Sequence, residues 1–384
     1  MDRIKPAYVE QKTNLCVEIS SLFFTWKIVM LKPLFIYGAI AFFFTPGFVN
    51  LPAFVNRPGL NVPINGEAPS MVVEGNTVHL SFSRGDSILY CSSTDHGQIF
   101  SEPVLVAVLN ELGSSGGRGP QIICSSGQLL IAAPDKAGNF YTYIKNGAGN
   151  AWKKSGRIND VPGIAKEGFL SLGAGNNGHL FAAWLDLRNG KKNNIYGARS
   201  VDGGKTWQKN QLVYRSPEGS VCECCKPSVA MKGQQVAVMF RNNLKGNRDL
   251  YLVESTDGGA RFGKAQKLGE GRWKLTGCPM DGGGLMIQNN NTVRTVWRRE
   301  ATIYTSEPGK PETVVATGRQ CAIAVTGGAF YISFVNEGKV YCRKPDSNIV
   351  ELGQGGNYPK LVAIDPSTIL CAWEYENKIY RAIL

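Results

Sequence analysis

The sequence predicts an all-β protein: a β-propeller of four-stranded antiparallel blades, seven in number with six as the alternative. Three observations lead there. A Ser-x-Asp-x-Gly-x-x-aromatic box recurs along the chain, a strand marked by an apolar residue and a tyrosine recurs seven times, and the composition favours turns over helices. With 45 glycines and 19 prolines in 384 residues, and no long Ala/Glu/Lys/Leu stretches, turns must be many and helices few.

The boxes are Ser93-Thr94-Asp95-His96-Gly97-Gln98-Ile99-Phe100, Ser200-Val201-Asp202-Gly203-Gly204-Lys205-Thr206-Trp207 and Ser255-Thr256-Asp257-Gly258-Gly259-Ala260-Arg261-Phe262. The second and third start 55 residues apart and the first and second 107, two periods with a worn copy between them at Lys145 to Trp152. Their chemistry is that of a turn. The aspartate accepts from nearby backbone N–H groups, the glycine supplies a positive φ, and Phe100, Trp207 or Phe262 staples the turn down. A calcium loop would need more oxygen ligands than these segments hold.

The tyrosine marks are Leu89-Tyr90, Phe140-Tyr141, Ile195-Tyr196, Leu250-Tyr251, Ile303-Tyr304, Val340-Tyr341 and Ile379-Tyr380, 37 to 55 residues apart. Upstream of each runs an apolar strand, such as Leu180 to Trp184 or Val236 to Phe240. Upstream again lies another, often opened by a proline: Pro69, Pro120, Pro227, Pro279 or Pro359. The last copy ends on its third strand, so the segment around Arg57 to Ile64 is expected to close the ring as the missing fourth and remove the exposed edges. Residues 51–384 then form one propeller domain.

Residues 1–50 read as an N-terminal extension carrying a signal peptide or anchor. Lys27 and Lys32 precede an eleven-residue apolar run, Leu34 to Phe44, too short to span a bilayer and followed by Thr45-Pro46-Gly47. Export, periplasmic or secreted, is the expectation, with membrane attachment only through this segment. The chain carries 42 basic and 30 acidic residues, a net charge of +12. The excess is spread without a Lys/Arg block or a basic stripe interleaved with aromatics, which argues against nucleic acid.

Propeller geometry sends two sets of loops to one face: the turns between second and third strands, and the connections from one blade to the next. The turns at the ends of second strands carry Arg84, Asp186, Arg188, Arg241, Arg298, Arg299, Glu300, Glu374 and Tyr375. Guanidinium groups converging there would clamp a carboxylate, sulfate or phosphate bidentately, and the acids among them would move protons. The alternative is that these charges are hairpin tips paired with one another. The blade connections carry Cys222, Cys224, Cys225, Cys278 and Cys321. In an exported chain a disulfide is the default reading, with Cys222 or Cys224 joined to Cys278; metal binding is the alternative, although C-x-C-C differs from the usual zinc knuckle. Cys91, Cys124, Cys342 and Cys371 fall inside apolar strands. His79, His96 and His179 lie away from the expected ring centre, so no Ser/His or Cys/His triad is legible. Gly282-Gly283-Gly284 lacks the lysine of a phosphate loop, and no cofactor is expected.

The boxes, with Ala183-Trp184-Leu185-Asp186-Leu187-Arg188 ahead of Asn194-Ile195-Tyr196, resemble the Asp-box (BNR) repeat of sialidases and related propellers over most of residues 65–384. The resemblance implies an acidic glycan such as terminal sialic acid as ligand. It implies Arg241 with Arg298 or Arg299 as carboxylate-gripping arginines, an aspartate as acid/base, and Tyr375 beside Glu374 as the nucleophile pair; Asp186 and Glu300 are the further catalytic candidates among the acids of that face. The Arg-Ile-Pro signature of the family's first arginine is absent; Arg57-Pro58 stands nearest to it. Asp-box rings also include non-catalytic modules, so a binding or assembly role with a protein or glycan partner is the second expectation.

Overall fold

The computed structural model describes residues 62–145 and 151–384. The expected leader, Arg57-Pro58 and the interior of the worn box lie outside the described residues. The described chain forms seven four-stranded antiparallel sheets with no helix among them. Their innermost strands are Glu67–Glu74, Gln121–Ser125, Leu170–Ala174, Ser228–Lys232, Gly284–Ile287, Arg319–Thr326 and Asn357–Asp365. Each packs against the next in chain order, and the last against the first, which makes a closed ring of seven blades. Ile64–Asn65 supplies the outer strand of the seventh blade, Ile64 opposite Ile379 and Asn65 opposite Lys378. The late copies spaced at 37 and 39 residues are complete blades.

Burial explains which residues form which strand. A second strand has blades on both sides, so it reads as a continuous apolar run: every residue of Leu180–Asp186 is buried. Outer strands have one wet face and alternate, as in Val104–Val108. The core sits in the seams between blades. At one of them Trp184, fully buried, meets Phe140 edge-on at 5.8 Å among Leu130, Leu170 and Leu180.

The boxes form the turns between third and fourth strands, and they also join neighbouring blades. In each, the serine hydroxyl donates to the aspartate and accepts from the glycine N–H. Ser200 Oγ lies 2.8 Å from Asp202 Oδ1 and accepts from Gly204 N at 2.9 Å, and the boxes at Ser93 and Ser255 repeat this. The N–H of Arg261 and the Ser255 hydroxyl hold the Asp257 carboxyl well below its usual range. Gly204 has φ +82°, and a Cβ there would lie 2.0 Å from Leu130 Cδ1 of the preceding blade. Gly97 and Gly259 meet Leu370 and Phe181 of their preceding blades in the same way. The aromatic follows suit: Phe262 tilts against Phe181 at 5.3 Å, so it staples the seam as well as its own sheet. Ser200→Ala should therefore destabilise by about 1–3 kcal/mol in chemical denaturation, because it leaves the buried Gly204 N–H without an acceptor. An unchanged midpoint would refute this reading.

Candidate functional site

Of the five arginines only two meet, each of the five is engaged by its own partners, and the common clamp expected from the sequence is not built. Arg84 is exposed and donates to Asn65 O of the closing strand at 2.9 Å. Arg188 is held by fully buried Asp186 through two bonds of 2.9 Å, and it also reaches Asp160 at 3.1 Å. Arg299 pairs with Glu312 and lies over the Tyr304 ring at 4.1 Å. Arg241, 1% exposed, spends its donors on backbone: Asp281 O at 3.1 and 3.0 Å, Arg248 O at 2.6 Å and Arg298 O at 3.0 Å. Arg298 donates to Pro279 O at 3.1 Å and lies 3.5 Å from Asp281 Oδ2. Only Arg241 and Arg298 meet, flanking Trp273 at 5.1 and 5.2 Å. Hairpin tips are polar because strands end there, and here the polarity holds the blades together.

The acid candidates are scattered too. Asp186 carries the Arg188 guanidinium and the Trp184 indole N–H, at 2.8 Å, and has no solvent face. Glu300 is exposed on a hairpin tip at φ +56°. Glu374 and Tyr375 are successive strand residues and so point to opposite faces. Tyr375 is 40% exposed at the rim, whereas Glu374 turns inward and accepts from Ala68 N at 2.7 Å. They do not form a nucleophile pair.

What the ring does assemble lies at the mouth of its axis. A small pit of about 70 Å³, open to solvent, is lined by Lys226, Lys360, Gln320, Tyr358, Asp281 and Cys321, with Met280 exposed at its edge. Lys226 and Lys360 flank the prolines that open two innermost strands, Pro227 and Pro359. Lys226 Nζ donates to Gln121 Oε1 at 3.1 Å. Among the described residues, the Lys360 ammonium has no hydrogen-bond partner, and no carboxylate lies within ion-pair distance of either ammonium. Both lysines are half-buried. Burial, with Lys360 adding repulsion, drives the Lys226 ammonium well below the usual lysine range. Burial also lowers Lys360, against the pull of Glu374 and Asp281. Glu374 is pushed up by burial and by Glu67, with the Ala68 N–H and Lys360 opposing. Burial raises the Tyr358 phenol as well.

The pit rim is conformationally strained. Ala68, Met280, Gln320 and Tyr358 all have φ between +50° and +55° at the entries to four innermost strands. Two bonds lock the rim there: Gln320 N donates to Asp281 Oδ2 at 2.8 Å, and Tyr358 N to Gln320 Oε1 at 3.0 Å. Such backbone costs about 1–3 kcal/mol per residue and concentrates where geometry serves binding. Beside the pit runs a polar groove lined by Asp86, Arg118, Asp135, Lys136, Lys166 and Glu167. Gly117 lines the pit and Arg118 the groove, so the two share a wall. Neither lysine stood out in the sequence; the available signal was the cation beside each strand-opening proline.

The cysteines gather on the same face. Cys224 is disulfide-bonded to Cys278, with Cα atoms 6.3 Å apart, which ties the connector into the fourth blade to the connector into the fifth. Cys222 Sγ lies 3.5 Å from Cys225 Sγ and 3.7 Å from Cys224 Sγ. The contact with Cys225 lowers the Cys222 thiol to about 7 against burial, with Arg248 and Arg241 helping. Burial pushes Cys225 up. Cys321 lies buried on its innermost strand, its thiol raised by burial.

No family model matches the chain, and no curated protein matches it. Among solved structures it is similar to a protein of unknown function from Dyadobacter fermentans, at 15% identity and TM-score 0.51 over 85% of this chain and 99% of that one. It is also similar to an ulvan lyase of a polysaccharide lyase family bound to -[GlcA(1-4)Rha3S]-, at 10% identity and TM-score 0.56 over 85% and 95% of the chains. Virginiamycin B lyase from Staphylococcus aureus aligns at 15% identity and TM-score 0.50 over 83% and 97%. NanB sialidase from Streptococcus pneumoniae aligns at 11% identity and TM-score 0.40 over 84% and 68%, too distant to bear on function. The class these observations define is the seven-bladed β-propeller.

Proposed function

We propose that this chain binds acidic saccharides, bearing a carboxylate or sulfate, in the lysine-lined pit and the groove beside it. The observation that carries the reading is the pair Lys226 and Lys360: two ammoniums facing one pit with no carboxylate of the described residues in ion-pair range, while all five arginine candidates already have partners. An anionic ligand would supply the missing counter-charge in a site of low dielectric, where the pairing is strong. Tyr358 and Gln320 offer hydrogen-bonding groups to sugar hydroxyls, and the groove gives room for further residues of a polymer. The similarity of fold to a lyase bound to a uronic-acid and sulfate saccharide agrees in ligand chemistry. Binding is favoured over hydrolysis because Glu374 and Tyr375 face apart. Export is part of the reading, resting on the apolar run Leu34 to Phe44 behind Lys27 and Lys32.

Calorimetry or thermal shift with a panel of sialic acid, glucuronate and sulfated oligosaccharides against neutral ones tests it. Anionic members should bind and neutral ones of equal size should not; equal response to both ends the proposal. The pH dependence has a definite sign. Lys226 and Lys360 have lowered pKa values, so their charge, and with it affinity, is lost as pH rises and begins to go below the usual lysine value of about 10.4. Protonation of Glu374, whose pKa is raised, removes a negative charge as pH falls, so it strengthens binding in the same direction. Affinity unchanged up to the ordinary lysine range would contradict the site.

A further inference from the structure

We propose that Cys222, Cys224, Cys225 and Cys278 form a thiolate site for one zinc-type d10 cation, and that the Cys224–Cys278 disulfide is its oxidised, metal-free state. The inference is independent of the saccharide reading. Zinc–sulfur bonds of about 2.3 Å in a tetrahedron place ligand sulfurs about 3.8 Å apart. The sulfurs of Cys222, Cys224 and Cys225 lie 3.7, 3.5 and 4.0 Å from one another, already at the corners of one tetrahedral face. The fourth sulfur, Cys278, comes from the next blade connector and is bonded to Cys224, which brings it beside the other three.

The surroundings suit a thiolate cluster. Four thiolates around a dication carry a net charge of −2. Two arginines stand beside the cluster: the Cys222 N–H donates to Arg241 O at 3.0 Å, and Arg241 Nη1 donates to Arg248 O at 2.6 Å. Arg248 has two buried guanidinium nitrogens, Nε and Nη1, without a hydrogen-bond acceptor, although Nη1 lies 3.6 Å from a Glu223 oxygen. An all-sulfur donor set selects a soft or borderline cation over magnesium or calcium.

The interconversion balances. An external dithiol reduces Cys224–Cys278 by two electrons and leaves as its own disulfide, giving two free thiols here. The cation then enters without changing oxidation state, and the thiol protons go to solvent. Metal binding would replace a covalent tie between two blade connectors with a coordinate one at the pit edge, where Cys224 lines the wall.

The full chain, reduced with a thiol reductant that is then removed anaerobically, is titrated with Co²⁺ and then Zn²⁺. The expected result is one equivalent of cobalt with intense thiolate-to-metal absorption and tetrahedral visible bands, displaced by one equivalent of Zn²⁺. Protein oxidised with diamide should show none of this. Cys222→Ser and Cys225→Ser should lose the bands, while Cys321→Ser should keep them. The proposal is overturned by reduced wild type that develops no cobalt absorption, by equal binding in the oxidised protein, or by bands that survive in Cys222→Ser. If a variant fails to fold, the comparison of reduced and oxidised wild type decides.

Discussion

Arg241→Met is expected to destabilise the protein by about 3–5 kcal/mol in urea denaturation. Methionine fills the space of the stem but donates nothing. The carbonyls of Asp281, Arg248 and Arg298 would lose their shared donor, and each is part of the framework between the fourth and fifth blades. The arginine also sits over Trp273, whose packing would loosen. Because this guanidinium is 1% exposed and its donors are committed to backbone, the folded fraction should bind an anionic saccharide as wild type does. A variant of normal stability that has lost ligand would restore Arg241 to the role of ligand clamp.

Asp186→Ala should cost a comparable amount, about 3–5 kcal/mol, since it strands a cation instead of removing a pair. Asp186 accepts from Arg188 Nε and Nη2, from the Arg188 backbone N–H and from the Trp184 indole, each at 2.8–2.9 Å. Asp160 and Asn210 stay within 3.1 Å of the guanidinium and would limit the loss. Asp186→Asn keeps one acceptor and should be milder. A stable Asp186→Ala protein with an altered reaction would instead mark Asp186 as an acid/base group.

The ring was legible because its signals repeat. The tyrosine marks register one strand in every blade, and the boxes mark three of the turns between third and fourth strands. The short last blade demands an N-terminal strand, which Ile64 and Asn65 provide. The site was less legible for a physical reason. A guanidinium at a hairpin tip looks the same in sequence whether it awaits a ligand or is taken by Asp186 two residues away, by Glu312 or by a carbonyl such as Asp281 O. Partners across blades carry no local pattern. Lys226 and Lys360 are 134 positions apart in a sequence of ordinary charge density, and only ring closure brings them to one pit. The cysteine connectors were visible as a cluster, but their mutual distances come from how the connectors fold over the blades.

The central claim is that Lys226 and Lys360 together hold an anion, and the most direct measurement is calorimetric titration of an acidic oligosaccharide into wild type and the Lys226→Met/Lys360→Met double variant. Wild type should bind. The variant should lose at least about tenfold in affinity, about 1.4 kcal/mol, while its unfolding midpoint stays level or rises, because two desolvated ammoniums have been replaced by apolar groups. A double variant that binds as tightly as wild type would contradict the account.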